Sequence, residues 1–454
     1  MNRVMLVGTS SGVGKTTVVC GILNALQKLG KEVVSFKCGP DYIDGMFHKK
    51  VSGINSRNLD EFLMTRNGML NSLINGSEKK DIVIIEGAMG MYDGMGFSCK
   101  YSANEVALIT KTPTILIVNP SGKGISICAQ IKGFLEFRDN NINAIILNNV
   151  KVGMVDYYKR MIKKELDLDV VGFLPKLDEA EIGSRHLGLI SANEIKDIQD
   201  RLDLIGENVL KYFDLEKILA IASSSEELIC KKQELISNVA NVTIGVAYDE
   251  AFNFIYDDNL EILKNMGATI KFFSPLNDSK LPSDLDGILL FGGYPEIFAK
   301  QLENNIKMRE SIINSIKMGM IVYAECGGFM YLHNQIVDGN NNTYKMLGII
   351  DGEITVCSVL QNFGYTTLKS TKPNNFMNGI VNAHSFHYSK SNARQDSFIA
   401  TKVSNQKEYP AVYTSENIFA SYLHIHYNSN LDLPKNIIIN CQKYRRMLNE
   451  TKRN

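Results

Sequence analysis

The chain has 454 residues, with 49 lysine and arginine residues against 49 aspartate and glutamate residues. This length exceeds the roughly 100–250 residues of one ordinary domain, so we expect at least two domains. The balanced charge argues against the basic surface of a nucleic-acid-binding protein and against a polybasic membrane anchor, which favours small-molecule partners. No run approaches the roughly 18 consecutive apolar residues of a membrane span. A glycine-rich motif from residue 8 leaves no room for a signal peptide, so we expect a cytoplasmic protein.

The eight cysteines are dispersed and form no C-x-x-C pair. This distribution argues against both a zinc site and a disulfide framework. We therefore expect most of them to be buried, reduced thiols.

The first motif reads G-T-S-S-G-V-G-K-T-T from Gly8 to Thr17 and follows an apolar strand predicted at residues 4–7. A strand, a glycine-rich turn and a helical pattern in this order are typical of a P-loop, although Gly8 lies one position earlier than usual. A turn that binds nothing would not need Lys-Thr at the start of its helix. We predict a site for a nucleoside triphosphate and Mg²⁺. Its residues are Gly12, Gly14, Lys15, Thr16 and Thr17.

A charged segment follows the second predicted strand, at residues 32–36, and contains Lys37, Asp41 and Asp44. Ligands collect at the carboxyl ends of the strands in open α/β sheets. These side chains are therefore expected to face the same crevice as the P-loop. A solvent-exposed Gly-Pro turn is the alternative.

The next strand, predicted at residues 81–85, is continuously apolar and is followed directly by Glu86. A carboxylate at this position can hold magnesium opposite Thr16, whereas a helix-capping or surface acid is the alternative. Asn148 and Asn149 end another strand, where a side-chain amide could read the nucleotide base. Further strands are predicted at residues 114–118, 144–147 and 170–173, and their alternation with helix-length intervals indicates a doubly wound, mostly parallel sheet.

A polar, helical stretch at about residues 191–237 separates this region from a second α/β pattern, with the boundary near residues 225–240. We accordingly expect domains at residues 1–235 and 240–454. Strands of the second domain are predicted at residues 242–247, 269–273, 287–291 and 320–324.

Cys326 stands at a sharp strand-to-helix turn in the segment A-E-C-G-G, which is typical of a nucleophile elbow with sulfur in place of oxygen. A histidine partner is expected to favour the thiolate. His424 and His426 end a strand-like run, and period-two alternation predicts that both lie on one face. The glycines at 292–293 could offer backbone amides to an oxyanion. Other candidate partners, or structural and substrate-pocket residues, are His333, His384 and His387.

Together these motifs resemble those of the cobyrinate a,c-diamide synthases, which join a dethiobiotin-synthetase-like ATPase domain to a class I glutamine-amidotransferase-like domain. The dethiobiotin-synthetase-like loop has the same G-T-x-x-x-x-G-K-T form, which accounts for the early Gly8. Asn119 and Ser385 depart from the acid and the glutamate that are usual in this family. The resemblance covers almost the whole chain and rests on residues 8–16, 37–44, 86–94, 185–189, 292–296, 324–328 and 422–424.

The resemblance implies ATP-dependent amidation of the a and c acetate carboxylates of cobyrinate in cobalamin biosynthesis, with L-glutamine as the nitrogen donor. It implies that ATP converts each carboxylate to an acyl phosphate, while Lys15, Lys37 and Mg²⁺ offset the charge. Positions that would shape the amidation site are Asp41, Asp44 and Asp93, and those that would hold the metal are Glu86 and Thr16.

In the second domain the resemblance implies that Cys326 attacks the glutamine amide and that His424 moves protons. Many class I amidotransferases have a glutamate two residues after the catalytic histidine, where this chain has His426. The site is therefore either a dyad or one in which His426 takes the orienting role.

Four other functions are weighed against this interpretation. Cobyric acid synthase is disfavoured by the G-P-D-Y-I-D motif at residues 39–44, whereas relatives acting on hydrogenobyrinate or Ni-sirohydrochlorin are not separated by the sequence. A ParA-like nucleotide-switch ATPase belongs to a different class of protein. Ser10 stands where such an ATPase would have its additional lysine. The switch function would also leave Cys326 without a role.

Overall fold

The computed structural model describes residues 1–54, 56–177, 184–185, 188–189, 197–231 and 236–451. The chain forms two compact units, which are Met1–Glu61 with Thr65–Gln233 and Phe62–Met64 with Glu234–Asn454. His186 and Leu187, which belong to one of the family-like segments, lie outside the described residues. Residues 232–235 of the expected boundary region lie outside them as well.

Unit 1 is built on a parallel sheet. Its strands are β1 (Arg3–Gly8), β2 (Val33–Cys38), β3 (Arg57–Leu59), β4 (Ile82–Glu86), β5 (Thr114–Val118), β6 (Ile142–Asn148) and β7 (Val170–Leu174). They lie in the order β3-β2-β4-β1-β5-β6-β7, and each neighbouring pair is parallel. Strands are added on both sides of β1, and helices connect them along the chain, which confirms the predicted doubly wound, parallel α/β fold.

The helices of unit 1 begin with α1, which opens at Lys15 directly after the P-loop. They are α1 (Lys15–Lys28), α2 (Ile43–Ser52), α3 (Glu61–Gly76), α4 (Ala103–Ile109), α5 (Ser126–Glu136), α6 (Val155–Leu166), α7 (Ile198–Tyr212) and α8 (Leu215–Ser223). A 3₁₀ turn at Val152–Met154 precedes α6, and β8 (Ser184–Arg185) pairs antiparallel with β9 (Gly188–Leu189). The helix α3 is interrupted at Thr65, whose φ is 62°.

Unit 2 contains a longer series of strands. They are β10 (Val242–Ala247), β11 (Ala268–Phe273), β12 (Gly287–Leu290), β13 (Ile321–Glu325), β14 (His333–Val337), β15 (Thr343–Lys345), β16 (Ile350–Ser370), β17 (Ile380–Ser391), β18 (Phe398–Lys402), β19 (Glu408–Ala411), β20 (Tyr413–Thr414), β21 (Ile418–Ser421) and β22 (His424–Ile425). Its helices are α9 (Asp257–Asn265), α10 (Ala299–Asn304), α11 (Ile306–Lys317), α12 (Gly327–Leu332) and α13 (Asp432–Thr451), with a 3₁₀ turn at Tyr427–Ser429.

These strands form two sheets. The first has the order β11-β10-β12-β13-β21-β20 and is parallel except for its edge strand β20. The second is mixed, with the order β15-β14-β16-β17-β22, and β18 and β19 extend it from β16. The predicted α/β pattern corresponds to the first sheet, whereas the long β16–β17 hairpin of the second was not predicted.

The run expected to be one strand before His424 is divided between the two sheets. β21 ends at Ser421 in the parallel sheet, and β22 begins at His424 in the mixed sheet, where His424 pairs with His384. The prediction of a continuous strand was therefore wrong at this point. Separately, no helix within the described ranges is long and apolar enough to cross a membrane.

Candidate active sites

The P-loop of unit 1 uses glycine where the backbone requires it. Gly12 and Gly14 have φ values of 73° and 93°, a left-handed region that favours glycine. A Cβ on Gly14 would also lie 2.0 Å from Nδ2 of Asn148, which donates a hydrogen bond of 2.8 Å to the carbonyl of Val13. Asn148, predicted as a possible base reader, therefore supports the loop.

Lys15 lies at the first position of α1 and is almost completely buried. Its Nζ donates hydrogen bonds to the carbonyls of Ser10 at 3.0 Å and Met89 at 2.5 Å. Burial, followed by the charge of Lys37, lowers the pKa of Lys15. These two hydrogen bonds hold the Lys15 side chain across the mouth of the loop, where phosphate oxygens could replace the two carbonyls. Thr17, two residues after Lys15, is half-buried.

Glu86 is the centre of a buried polar cluster in unit 1. Its Oε1 accepts hydrogen bonds from Thr16 Oγ1 at 2.8 Å and from Lys37 Nζ at 2.9 Å. Its Oε2 lies 2.7 Å from Nε2 of His48. Burial alone would raise the pKa of Glu86, but Lys37 and His48 hold that pKa far below its usual range. The carboxylate is therefore ionised, and the structure brings Thr16, Lys37 and Glu86 together.

Lys37 forms a second close ion pair, with Asp44. Although burial opposes ionisation of the lysine, Asp44 and Glu86 raise the pKa of Lys37. Burial and the nearby charge of Asp41 raise the pKa of Asp44 to about 8, against the effect of Lys37. Lys37 lies within β2 rather than in the following loop, so the predicted strand end was too early.

Asp41 and Asp93 have more local contacts. Asp41 accepts a hydrogen bond of 2.9 Å from the amide of Ile43 at the start of α2. Asp93 is exposed and accepts a hydrogen bond of 2.8 Å from the amide of Gly90. Both hold loops at the carboxyl edge of the sheet through these contacts.

His48 was missed by the sequence analysis. It is completely buried on α2, and its Nδ1 lies 3.2 Å from Oγ of Ser56. The signal available was its position four residues after Asp44, because residues i and i+4 share one face of a helix.

In unit 2, Cys326 lies between β13 and α12 with φ 44° and ψ −103°. It is 4 % exposed, and its amide donates a hydrogen bond of 2.8 Å to the carbonyl of Ser421. A Cβ on Gly328 would lie 1.9 Å from the carbonyl oxygen of Leu290, so the turn requires glycine behind the nucleophile. This geometry has the strained backbone of a nucleophile elbow.

His424 is the histidine that the structure brings to Cys326. Burial opposes its protonation, but the Cys326 sulfur, through charge and a hydrogen bond, and then Glu325, raise the pKa of His424 to about 10. Its Nδ1 lies 3.6 Å from Oε2 of Glu325. The protonated, imidazolium form of His424 is therefore favoured beside the Cys326 sulfur.

The predicted oxyanion loop approaches the same two residues. A Cβ on Gly292 would lie 2.5 Å from Cε1 of His424, and a Cβ on Gly327 would lie 3.1 Å from the amide nitrogen of Gly293. The φ of Gly293 is 152°. Its amide is thus next to the elbow, where it could donate to a developing oxyanion.

The competing histidines have other contacts. His333 begins β14, directly after α12, and it bonds to the carbonyl of Phe329 at 2.8 Å and to Ser391 Oγ at 2.7 Å. His387 stacks on Tyr422, with ring centroids 3.7 Å apart. Burial lowers the pKa values of His333 and His387 to about 4, and both are neutral structural residues at pH 7.

His384 and His426 are also set apart from the proton-transfer role. Burial, followed by the charge of His424, lowers the pKa of His384 to about 3. His426 has Nε2 3.5 Å from Asp258 Oδ2, and its Nδ1 accepts a hydrogen bond of 3.3 Å from the amide of Asn428. Its ring nitrogens are thus directed at groups other than His424, so the expected shared face does not give the two histidines a shared contact.

Comparison with known proteins identifies the family of the chain. Residues 4–190 match the family model of the CobQ/CobB/MinD/ParA nucleotide binding domain, and residues 243–431 match that of the CobB/CobQ-like glutamine amidotransferase domain. Cobyrinate a,c-diamide synthase of Clostridium tetani is 36% identical over 96% of this chain and 100% of its own length. The enzyme of that name from Clostridium acetobutylicum is 37% identical over 96% of this chain and 100% of its own length. The one from Thermoplasma volcanium is 36% identical over 97% of this chain and 98% of its own length. Because these relatives are 36–37% identical over nearly its whole length, the chain belongs to the cobyrinate a,c-diamide synthase family.

Proposed function

We propose that this protein catalyses ATP- and glutamine-dependent amidation of the a and c acetate carboxylates of cobyrinate, a reaction of cobalamin biosynthesis. The observation that carries the proposal is the presence, in one chain of this family, of both a P-loop cluster around Glu86 and a buried Cys326–His424 pair. The first suits carboxylate activation by ATP, and the second suits release of ammonia from glutamine.

In unit 1, a carboxylate oxygen of the substrate attacks the γ-phosphorus of ATP and ADP leaves. Ammonia then attacks the acyl carbon and displaces phosphate. After loss of a proton, the product is the amide. Lys15 and Lys37 offset the negative charge that this transfer concentrates at the phosphates. Asp41, Asp44 and Asp93 are proposed to position the acceptor.

Mg²⁺ fits the donors around Glu86, since the ion prefers oxygen ligands and often uses one carboxylate, one hydroxyl, substrate phosphates and water. Glu86 and Thr16 would hold it. In the described part of the chain no cluster of three or more His, Cys, Asp or Glu residues could hold a metal, so the remaining ligands would come from ATP and water. Bound there, the ion would neutralise charge on the phosphates.

In unit 2, the Cys326 sulfur attacks the carboxamide carbon of glutamine and the carbon–nitrogen bond breaks. Ammonia leaves with a proton from His424, and water then hydrolyses the thioester to glutamate. The amide of Gly293 is proposed to bind the oxyanion.

The proposal is tested by mass spectrometry of products formed from cobyrinate, hydrogenobyrinate and Ni-sirohydrochlorin with ATP, Mg²⁺ and glutamine. Two amide substitutions on cobyrinate, at the a and c acetates, are expected. Amidation of other side chains would instead indicate a cobyric acid synthase, and preference for another macrocycle would reassign the substrate. Absence of glutaminase activity would favour a nucleotide switch.

Two substitutions separate the half-reactions. Cys326→Ala should abolish glutamine-dependent amidation but retain amidation with concentrated free ammonia, because only the release of nitrogen needs the thiol. Cys441→Ala is the matched control, since this buried cysteine packs against Gly287, at the opposite end of the parallel strands. Glutamine-dependent activity in Cys326→Ala would refute the amidotransferase assignment.

Lys15→Ala should abolish amidation with either nitrogen source, because acyl-phosphate formation precedes the use of ammonia. Lys28→Ala, on the same helix, is the control, because Lys28 is half-exposed and forms only long ion pairs of 3.7 and 3.9 Å. Normal turnover in Lys15→Ala would contradict the nucleotide assignment.

A further inference from the structure

Glu325 is a buried acid that the glutaminase reaction just described does not use. It is the last residue of β13, immediately before Cys326, and is 1 % exposed. A buried carboxylate is costly unless it has a cationic partner and hydrogen bonds. Among the residues that the structure describes, His424 is the one basic side chain within 4.0 Å of Glu325.

The carboxylate is fixed by two donors on one oxygen. Oε1 accepts a hydrogen bond of 3.0 Å from the amide of Ile425, the residue after His424. It also accepts a short hydrogen bond from the hydroxyl of Tyr323. Because Tyr323 and Glu325 are two residues apart on β13, their side chains lie on the same face of the strand. This arrangement leaves Oε2 directed at Nδ1 of His424, 3.6 Å away.

The other candidate for an orienting group is His426, two residues after His424. Its Nδ1 accepts from the amide of Asn428, and its Nε2 faces Asp258 on α9. A histidine with both ring nitrogens engaged in this way has none to offer His424. The other titratable groups that face His424 are Cys326 and the neutral His384 and His387. None of them is a carboxylate, which is the group that holds the histidine through Nδ1 in a catalytic triad.

We propose that Glu325 is the positioning acid of the glutaminase site, holding His424 through Nδ1 so that Nε2 exchanges protons with Cys326 and the leaving ammonia. This inference rests on the proposed function and completes its catalytic pair as a triad in which the acid precedes the nucleophile in sequence. The carboxylate of Glu325 stabilises the imidazolium and fixes the tautomer of the neutral ring.

The test compares Glu325→Gln, Glu325→Asp and Asp258→Asn in the full-length protein. Glu325→Gln keeps the shape and an acceptor for Tyr323 and Ile425 but removes the charge. We expect it to lower kcat for glutamine hydrolysis about 100-fold or more, by analogy with other triads, and to leave KM for glutamine nearly unchanged. Glu325→Asp, which keeps the charge on a shorter side chain, should recover part of the loss. Asp258→Asn should have wild-type glutaminase kinetics.

A second readout follows the thiolate directly. The rate at which iodoacetamide alkylates Cys326 is measured by peptide mass spectrometry between pH 5 and 10. Without the charge of Glu325 the imidazolium loses its proton at lower pH, so the thiolate–imidazolium pair is less populated. Alkylation in Glu325→Gln should therefore be at least about tenfold slower at pH 7, which corresponds to one pKa unit. A purely structural role for Glu325 would not give this pH-dependent change.

The outcomes separate this inference from the function on which it rests. If Cys326→Ala abolishes glutaminase activity while Glu325→Gln has wild-type kinetics and alkylation, only the inference fails. If Asp258→Asn loses as much glutaminase activity as Glu325→Gln, the orienting role belongs to His426 and the inference is overturned. Parallel loss of ammonia-dependent amidation in Glu325→Gln would assign Glu325 to folding and also overturn it. Glutaminase activity in Cys326→Ala would remove the proposed function itself.

Discussion

Replacing Lys37 with methionine tests whether the Glu86 cluster is held together by charge. Lys37 is 2 % exposed and Glu86 is fully buried, so the substitution leaves two carboxylates, those of Glu86 and Asp44, without their ammonium partner. Removing one partner of a buried pair commonly costs about 3–5 kcal/mol. Glu86 retains Thr16 and His48 as partners, so we expect a cost near the lower end, about 3 kcal/mol.

The matched control is Lys217→Met. The side chains of Lys217 and Asp169 are 42% and 38% exposed. Water screens such a pair, and its loss should cost less than about 1 kcal/mol. The double variant Lys37→Met with Glu86→Gln should recover part of the stability, because no uncompensated charge then remains at position 86.

Hydrogen exchange with mass spectrometry suits this measurement, because a single unfolding free energy is poorly defined for a chain of two units. Amides of β1, β2 and β4 report on unit 1, and amides of β10, β12 and β13 serve as a reference in unit 2. If Lys37→Met costs no more than Lys217→Met, or if the double variant is no more stable than Lys37→Met, the cluster is not held by charge.

Three further predictions use other contacts. Glu86→Gln should raise the Mg²⁺ concentration for half-maximal amidation at least about tenfold, by analogy with the effects of altering metal-site residues; an unchanged requirement would contradict the metal site. Gly292→Ala should lower glutaminase activity at least about tenfold, which is about 1.4 kcal/mol, because its Cβ would lie 2.5 Å from His424. The control is Gly339→Ala, whose Cβ meets nothing within 4 Å. Equal activities of the two variants would contradict the proposed packing of Gly292 against His424. The pKa of His333 is lowered to about 4 by burial, so its contribution to stability is complete above pH 6.5 and falls by about 3 kcal/mol by pH 4; His333→Asn should flatten the pH dependence of thermal unfolding, and an unaltered slope would refute this.

The sequence predicted the features that depend on local pattern. The strands β1, β4 and β5 are buried along their whole length, so their apolar runs were visible without knowledge of their neighbours. Lys15 and Cys326 were found because each stands at a turn that only a few residues can form. These are the parts of the fold in which a segment's own residues determine its conformation.

The mixed sheet of unit 2 was missed for a physical reason. β16 is long, but its buried positions do not alternate regularly, and its pairing with β17 shifts between Val356 and Gln361 and again before Gly364. Such irregularities break the period-two signal on which strand prediction depends. The division between β21 and β22 was missed similarly, since the apolar run continues through Tyr422 and Leu423.

The supporting residues of both sites were missed because their partners are distant in sequence. His48 meets Glu86 across 38 positions, and the amide that holds Glu325 belongs to Ile425, 100 positions away. No spacing rule connects such residues before the fold is known. Glu325 was also hidden by its position beside Cys326, where it reads as an ordinary end of a strand.

The backbone of Cys326 has a consequence for evolution under different pressures. Its φ of 44° and ψ of −103° lie in a region that glycine occupies at lower cost than any other residue. A library of variants selected for thermal stability alone would therefore be expected to enrich glycine at position 326. Under the proposed function, these more stable variants would depend on free ammonia. Under the proposed function, selection for growth at low ammonia, with glutamine as the nitrogen source, would restore the cysteine.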